Sequence, residues 1–125
     1  MKVLVIESDA DLGALWSRHL ERQGSDVAVA TTEKEAIDKL RFVAFDVLVL
    51  DITTKDASVL AISDFATYRN PDVAIIIVTA NNFFSDGSIF ELIPNARGYL
   101  HTPIIPDDLA ALVEHYGRNG RQETA

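Results

Sequence analysis

Four short, continuous apolar runs constrain what this chain can fold into more than any other feature of its sequence. Strands that are apolar on both sides are typical of a parallel sheet whose two faces are covered by helices. Helical patterns separate the runs, so the sequence predicts an α/β fold, a (βα)₅ doubly wound parallel sheet of five strands. The predicted strands are Val3–Ile6, Val27–Ala30, Val47–Leu50 and Val73–Val78, followed by a shorter one at residues 97–101.

Five segments between and after these strands have the apolar spacing of helices. In the first, Leu12, Leu15, Trp16 and Leu20 are predicted to form the buried face, and Gly24 to mark the end. The sequence TEKE at residues 32–35 has the pattern of a capping box at the start of the second helix. The other segments are residues 59–66, residues 85–94, and the stripe of Leu109, Leu112, Val113 and Tyr116 after Pro106.

The length of 125 residues predicts one domain, which we place at residues 1–117 and follow with a polar, disordered tail at residues 118–125. A net charge of −8 argues against direct binding to nucleic acid, because phosphate contacts require a basic surface. The sequence has no apolar segment of membrane-spanning length and only a short apolar run near its start. We therefore expect a cytoplasmic protein that does not bind membranes.

Polar residues follow the predicted strands at the positions where a doubly wound sheet binds its ligands. Such ligands lie at the carboxyl ends of the strands, so residues that are distant in the sequence meet there. Glu7, Ser8 and Asp9 follow the first strand, Asp51 follows the third and Thr79 the fourth; His101 and Thr102 end the fifth.

These positions resemble the receiver domain of response regulators, and the resemblance spans nearly the whole chain. The matching stretches are VLVIESDADL, DVLVLD, IIIVTA and GYLHTP, which occur in the family's order and spacing. The resemblance implies the strand order 2-1-3-4-5 and a module of two-component signal transduction.

The resemblance also implies a role for each matching residue. Asp51 stands at the position that accepts a phosphoryl group from a sensor histidine kinase, and Thr79 and Tyr99 stand at the switch positions. Family members hold Mg²⁺ with an acidic pair, the acceptor Asp and a backbone carbonyl. The corresponding positions here, with Asp9 as a neighbouring donor, are Glu7, Asp9, Asp51 and Thr53.

Two residues depart from the family pattern in the pocket itself. Ser8 stands where the family has a carboxylate that binds the metal directly, which predicts weak or absent Mg²⁺ binding. Thr102 stands where the family has a Lys, so a charge-assisted hydrogen bond to the phosphoryl group, about 1.5–3 kcal/mol, is lost. The loop after Asp51 also lacks the family's Pro and Gly. We therefore expect an incomplete phosphorylation site.

Several of these residues have a plainer interpretation. Asp51 can be a strand-end carboxylate in a binding module that is not phosphorylated, and Thr79 and Tyr99 can be packing residues. Either Asp9 or Asp11 can stabilise the first helix N-terminus, and we favour Asp11 as the cap. His101 is expected at the surface, since strand alternation turns it away from the pocket.

Aromatic residues after the fourth strand suggest a surface for protein contacts. In the receiver family the fourth helix, fifth strand and fifth helix form the face at which dimers and partners dock. The candidates on that face are Phe83, Phe84, Phe90, Tyr99 and His101.

The function predicted from the sequence is a divergent receiver domain that is not an enzyme and acts through protein contacts with a histidine kinase or another signalling protein. A conventional receiver with weakened Mg²⁺-dependent phosphotransfer is the main alternative. The sequence LVLDITT also resembles the first motif of haloacid-dehalogenase-type phosphatases, but Thr53 replaces their general acid. A flavodoxin-like FMN site is disfavoured because the first turn is acidic.

Overall fold

The computed structural model of the chain describes residues 1–52, 59–80 and 93–124, with side chains as far as residue 118. In these ranges five strands form one parallel sheet in the order β2-β1-β3-β4-β5. The doubly wound architecture and the strand order predicted from the sequence are both confirmed. The strands are β1 (Lys2–Ile6), β2 (Asp26–Ala30), β3 (Val47–Asp51), β4 (Ala74–Thr79) and β5 (Ala96–His101).

Helices cover both faces of the sheet and divide the apolar core into two parts. The four described helices are α1 (Ala10–Arg22), α2 (Glu33–Phe42), α3 (Val59–Arg69) and α4 (Pro106–Thr124). On one face, α1 and α4 pack against the sheet with Trp16, Leu20, Leu109 and Val113. On the other face, α2 and α3 pack on the alternate side chains of the same strands. Every residue of β3 and β4 is buried, and both strands are continuous apolar runs up to their last residues, Asp51 and Thr79.

The buried face of α1 differs from the predicted one. Gly13, Trp16, Ser17 and Leu20 are buried, whereas Leu12 and Leu15 are exposed. The cause is the close approach of α1 to β2: a Cβ at Gly13 would lie 3.0 Å from Cγ1 of Val29. The helix therefore turns its glycine toward the sheet and its two leucines outward.

The predicted N-cap of α2 is present, but the main hydrogen-bond donors to its glutamate differ from the predicted one. The Thr32 hydroxyl accepts a hydrogen bond from the Glu35 N–H at 3.1 Å, as the capping box requires. The main donors to the Glu35 carboxylate are the N–H of Thr31, at 2.8 Å, and the Thr31 hydroxyl, and the Thr32 N–H contributes less. These hydrogen bonds lower the pKa of Glu35 below its usual value.

Helix α4 has the predicted apolar stripe, with Leu109 and Val113 buried and Leu112 and Tyr116 half-buried. Its backbone continues as a helix to Thr124, into the segment for which the sequence predicts a disordered tail. Within the ranges that the structure describes, no helix is long and apolar enough to cross a bilayer. The helix predicted at residues 85–94 lies almost entirely outside the described residues, as do Thr53, Phe83, Phe84 and Phe90.

Candidate functional site

Glu7 follows β1 directly and its carboxyl group is buried. Its N–H donates to the carbonyl of Ala30 at 3.0 Å, which continues the β1–β2 ladder by one residue and turns the side chain into the molecule. Only 3% of Glu7 is exposed, and its Oε2 has no hydrogen-bond partner among the described residues. Burial of the carboxyl raises the pKa of Glu7 to about 8; a hydrogen bond with the Asp51 side chain and the negative charges of Asp51 and Asp9 add to the shift.

Asp51 is the last residue of β3 and only 5% of it is exposed. Strands β1 and β3 are neighbours with Ile6 opposite Leu50, so the residues next along each chain segment, Glu7 and Asp51, are adjacent. Because the pKa of Glu7 lies near 8, this carboxyl holds its proton at neutral pH and can share it with Asp51. The sequence predicted that these two residues meet, but not that they do so as an acid pair.

Asp9, and not Asp11, caps α1. The Asp9 Oδ1 accepts the N–H of Asp11 at 3.0 Å and that of Leu12 at 3.2 Å, while Asp11 lies within the first helical turn. The preference for Asp11 as the cap was therefore wrong, because the helix already begins at Ala10. Ser8, between Glu7 and the cap, is exposed.

Thr79 and Thr102 are joined through the backbone at the end of the neighbouring strands. The Thr102 N–H donates to the Thr79 carbonyl at 2.8 Å, and Thr79 is fully buried while Thr102 is half-buried. His101 is exposed, as predicted, with its Nδ1 at 2.7 Å from the Thr102 carbonyl oxygen. The peptide bond from Thr102 to Pro103 is cis.

Tyr99 lies on β5, two residues before His101, and packs against the α2–α3 side of the core. It is half-buried, and its hydroxyl is buried without a hydrogen-bond partner among the described residues. Among the described candidate residues, Glu7, Asp51 and Thr79 thus lie at the ends of the neighbouring strands β1, β3 and β4, and Tyr99 lies on the core side of β5.

Nowhere in residues 1–52, 59–80 and 93–118 do three or more His, Asp or Glu side chains come together as metal ligands. Glu7 keeps a proton, one oxygen of Asp9 is occupied by the α1 cap, and Ser8 supplies no charge. A hard dication prefers charged oxygen donors, and the described carboxyl groups that interact with Glu7 here are those of Asp51 and Asp9.

Exposed apolar side chains near this site were missed by the sequence reasoning. Leu12 and Leu15 lie on the first turns of α1, after the Asp9 cap, and Ile105 lies three residues after Thr102. His19, one turn after Leu15, places its Nε2 at 2.9 Å from Oδ1 of Asp107 at the start of α4. The two segments are therefore close, and each carries exposed apolar side chains. The sequence does contain a signal for this surface, because α1 has more apolar residues than one buried face requires.

Comparison with known proteins agrees with this geometry. Residues 3–114 match the model of the response regulator receiver domain. The chain is 26% identical over 111 residues to the regulatory protein LuxO of Vibrio vulnificus, covering 89% of this chain and 24% of that protein. It is 25% identical over 112 residues to the transcriptional regulatory protein ZraR of Escherichia coli, covering 90% of this chain and 25% of that protein. The chain thus spans about a quarter of the length of these curated relatives.

Solved structures give the same result for the fold. A CheY-like response regulator receiver domain protein from Methanospirillum hungatei superposes with a TM-score of 0.86 at 24% identity, covering 98% of this chain and 97% of that one. A two-component response regulator from Clostridium difficile superposes with a TM-score of 0.81 at 25% identity, covering 94% of this chain and 96% of that one.

Proposed function

The chain belongs to the response regulator receiver domain family, and we propose that it is a divergent member that signals through protein contacts and has an incomplete phosphorylation site. Receiver domains are in general signalling modules and interact with histidine kinases and other signalling proteins. The observation that carries the proposal is the surroundings of the acceptor position: Asp51 is buried beside the buried Glu7, and the residues at the two helper positions, Ser8 and Thr102, carry no charge.

Transfer of a phosphoryl group to a carboxylate depends on positioning and on cations that neutralise the charge on the phosphoryl oxygens. In this chain the residues at the two helper positions, Ser8 and Thr102, are neutral. Mg²⁺ binds weakly under this proposal, because Ser8 supplies no negative charge and a hard dication prefers charged oxygen donors. The proton of Glu7 keeps the negative charge of the pair low, so Asp51 and Glu7 can stay together without a cation.

The contact surface of the proposed function includes exposed apolar residues. The surface we propose includes the first half of α1, where Leu12 and Leu15 are exposed, and Ile105 just before α4. Apolar side chains that are exposed on adjacent segments are typical of a docking surface. The partners we propose are a sensor histidine kinase or another signalling protein, in the cytoplasm.

The central test is the response to beryllofluoride, a mimic of the phosphoryl group, in amide NMR spectra at millimolar Mg²⁺. We expect little change in the wild type and clear shifts at Thr79 and Tyr99 in the double variant Ser8→Asp with Thr102→Lys, since this variant restores both charged helpers. Adding Asp51→Asn to the double variant is the matched control and should abolish the shifts.

Two results would contradict the proposal in different ways. If beryllofluoride saturates the wild type at the same Mg²⁺ concentration as the double variant, the phosphorylation site is complete and the chain is a conventional receiver. A double variant whose spectra change equally with and without Asp51 would show that Asp51 is not the acceptor.

A further inference from the structure

Strand β2 forms one edge of the sheet and leaves backbone groups unpaired. It pairs with β1 on one side, through bonds such as that from the Asp26 N–H to the Met1 carbonyl at 2.9 Å and that from the Glu7 N–H to the Ala30 carbonyl at 3.0 Å. In a parallel ladder, the residues that alternate with these direct their N–H and C=O groups to the opposite side of the strand. The N–H and C=O groups of Val27 and Val29 therefore face outward, and no other described segment pairs with them.

The opposite edge of the sheet is protected in a way that β2 is not. Strand β5 contains a register irregularity, where Ile75 pairs with Ala96 and Ile76 with Gly98, so that Arg97 is an extra, exposed residue. Bulges and charged residues are the usual devices that keep an edge strand from pairing with another chain. Strand β2 pairs in unbroken register over five residues and has no charge after Asp26.

A groove of about 480 Å³ runs beside this edge on the α2 side. Its apolar lining comes from Ala28 of β2 and from Phe42, Val43 and Phe45 at the end of α2 and beyond. Phe45 is buried, whereas Phe42, the last residue of α2, is 84% exposed. An exposed phenylalanine next to an apolar groove and an unpaired strand is an arrangement that a bound strand would cover.

The charged residues of the groove indicate what kind of segment fits. Glu35 and Asp38 line it with Lys39, and Asp26 is exposed at the start of the edge strand. Asp38 is also 3.8 Å from the guanidinium of Arg41. Three carboxylates against two cations leave an acidic surface, on a chain whose net charge is −8. This charge favours a basic partner and opposes the approach of a second copy.

We propose that the β2 edge and this groove bind an extended segment of a partner protein that alternates apolar and basic side chains. The segment adds a sixth strand by bonding to the backbone of Val27 and Val29, and its side chains on one face enter the groove beside Phe42. This site is separate from the Asp51 pocket and does not depend on phosphorylation, so its failure would leave the proposed function untouched.

The test is a selection of random octapeptides, displayed on phage, against the purified full chain. We expect the enriched peptides to alternate apolar residues with Lys or Arg and to shift the amide signals of Val27 and Val29. Phe42→Ala should weaken the selected peptides about tenfold or more, which corresponds to about 1.4 kcal/mol. The matched control is Tyr68→Ala, because Tyr68 is an aromatic residue of a neighbouring helix that is 81% exposed but does not line the groove.

A second variant tests the backbone contribution. Val27→Pro removes an outward N–H without breaking the β1–β2 ladder, because proline is tolerated on the free side of an edge strand. It should abolish peptide binding while the remaining amide spectrum stays that of a folded protein.

Three outcomes would overturn the proposal. The first is the absence of enriched peptides, and the second is enriched peptides that bind Phe42→Ala as well as the wild type. The third is a concentration-dependent dimer that Val27→Pro abolishes, which would assign the edge to a second copy of this chain.

Discussion

The interior of the central strands and the edge at which those strands end differ in what they bury. Along β3 and β4 the buried residues are apolar from Val47 to Leu50 and from Ala74 to Val78. Directly after the apolar runs of β1, β3 and β4, the buried residues are polar: Glu7, Asp51 and Thr79. The first region gains stability from each buried side chain, at roughly 25 cal/mol per Å² of apolar surface, whereas the second loses stability by desolvating its carboxyls.

The difference shows how a domain of this size can keep a destabilising group in place. The apolar body of the sheet positions the ends of β1 and β3 next to each other, whichever side chains come after them. Burial and the neighbouring Asp51 disfavour the charged form of Glu7. Its pKa is therefore raised to about 8, and the carboxyl keeps its proton at neutral pH. The strand interiors thus supply the stability, and the strand ends hold the buried polar groups.

The largest expected effect is in the strand interior. Ile76→Ala removes a fully buried side chain of β4 and should lower the free energy of unfolding by about 2–5 kcal/mol, since it leaves a cavity between well-packed neighbours. Urea unfolding monitored by circular dichroism measures this, with the exposed Ile105→Ala as control, which should change stability by less than about 0.5 kcal/mol. Equal losses in the two variants would remove the distinction between interior and surface.

A smaller effect, of opposite sign, is expected at the strand ends. The folded pKa of Glu7 lies above its unfolded value of 4.5, so folding binds a proton, and the stability of the wild type should fall as pH rises from about 4.5 to about 8. Glu7→Gln removes this penalty. Above pH 8 it should be more stable than the wild type, on the order of 2 kcal/mol once solvent screening is allowed for.

Glu35→Gln is the matched control for the sign of this effect. Hydrogen bonds from Thr31 lower the pKa of Glu35, so its contribution is present above its unfolded value and is lost as the pH falls through the folded value. Stability measured from pH 2 to pH 9 should therefore change in opposite directions for the two variants, each relative to the wild type, with the Glu35 effect below pH 4.5 and the Glu7 effect above it. The same pH profile for both would mean that Glu7 is not buried as described.

The smallest effects compare two caps at the same edge of the sheet. Thr32→Ala should cost about 1 kcal/mol, because α2 loses the acceptor for the Glu35 N–H. Asp9→Ala should cost less at pH 8, because loss of the α1 cap is offset by removal of a negative charge that acts on Glu7. Thermal unfolding of both variants at pH 5 and pH 8 measures the difference.

Asp9→Asn separates the two contributions of Asp9. Asparagine keeps an oxygen acceptor for the N–H groups of Asp11 and Leu12, so the cap is retained while the charge is lost. This variant should be slightly more stable than the wild type at pH 8 and indistinguishable from it at low pH. A loss of stability at pH 8 would show that the charge of Asp9 matters to α1 more than to Glu7.

Much of the fold could be predicted because its signals are local. The third strand was predicted at Val47–Leu50 and is observed at Val47–Asp51, since a strand covered on both faces needs an apolar residue at nearly every position. The buried face of α1 was predicted less well. Either Leu12 or Gly13 could face the sheet in a helix of this sequence. Gly13 faces it in the structure, where α1 lies so close to Val29 that a larger side chain would not fit. That distance is a property of the packed helix and strand, which no helical periodicity contains.

The order of residues is enough to establish that polar side chains end the strands and that neutral ones stand at two helper positions, Ser8 and Thr102, because these facts need no coordinates. Packing of the chain was needed to establish that Glu7 faces Asp51 in a buried place and that Asp9 caps α1. Packing also places the outward edge of β2 beside an apolar groove. The protonation of a carboxyl depends on the distance to other charges and on the exclusion of water, and both arise only when separate strands are brought together.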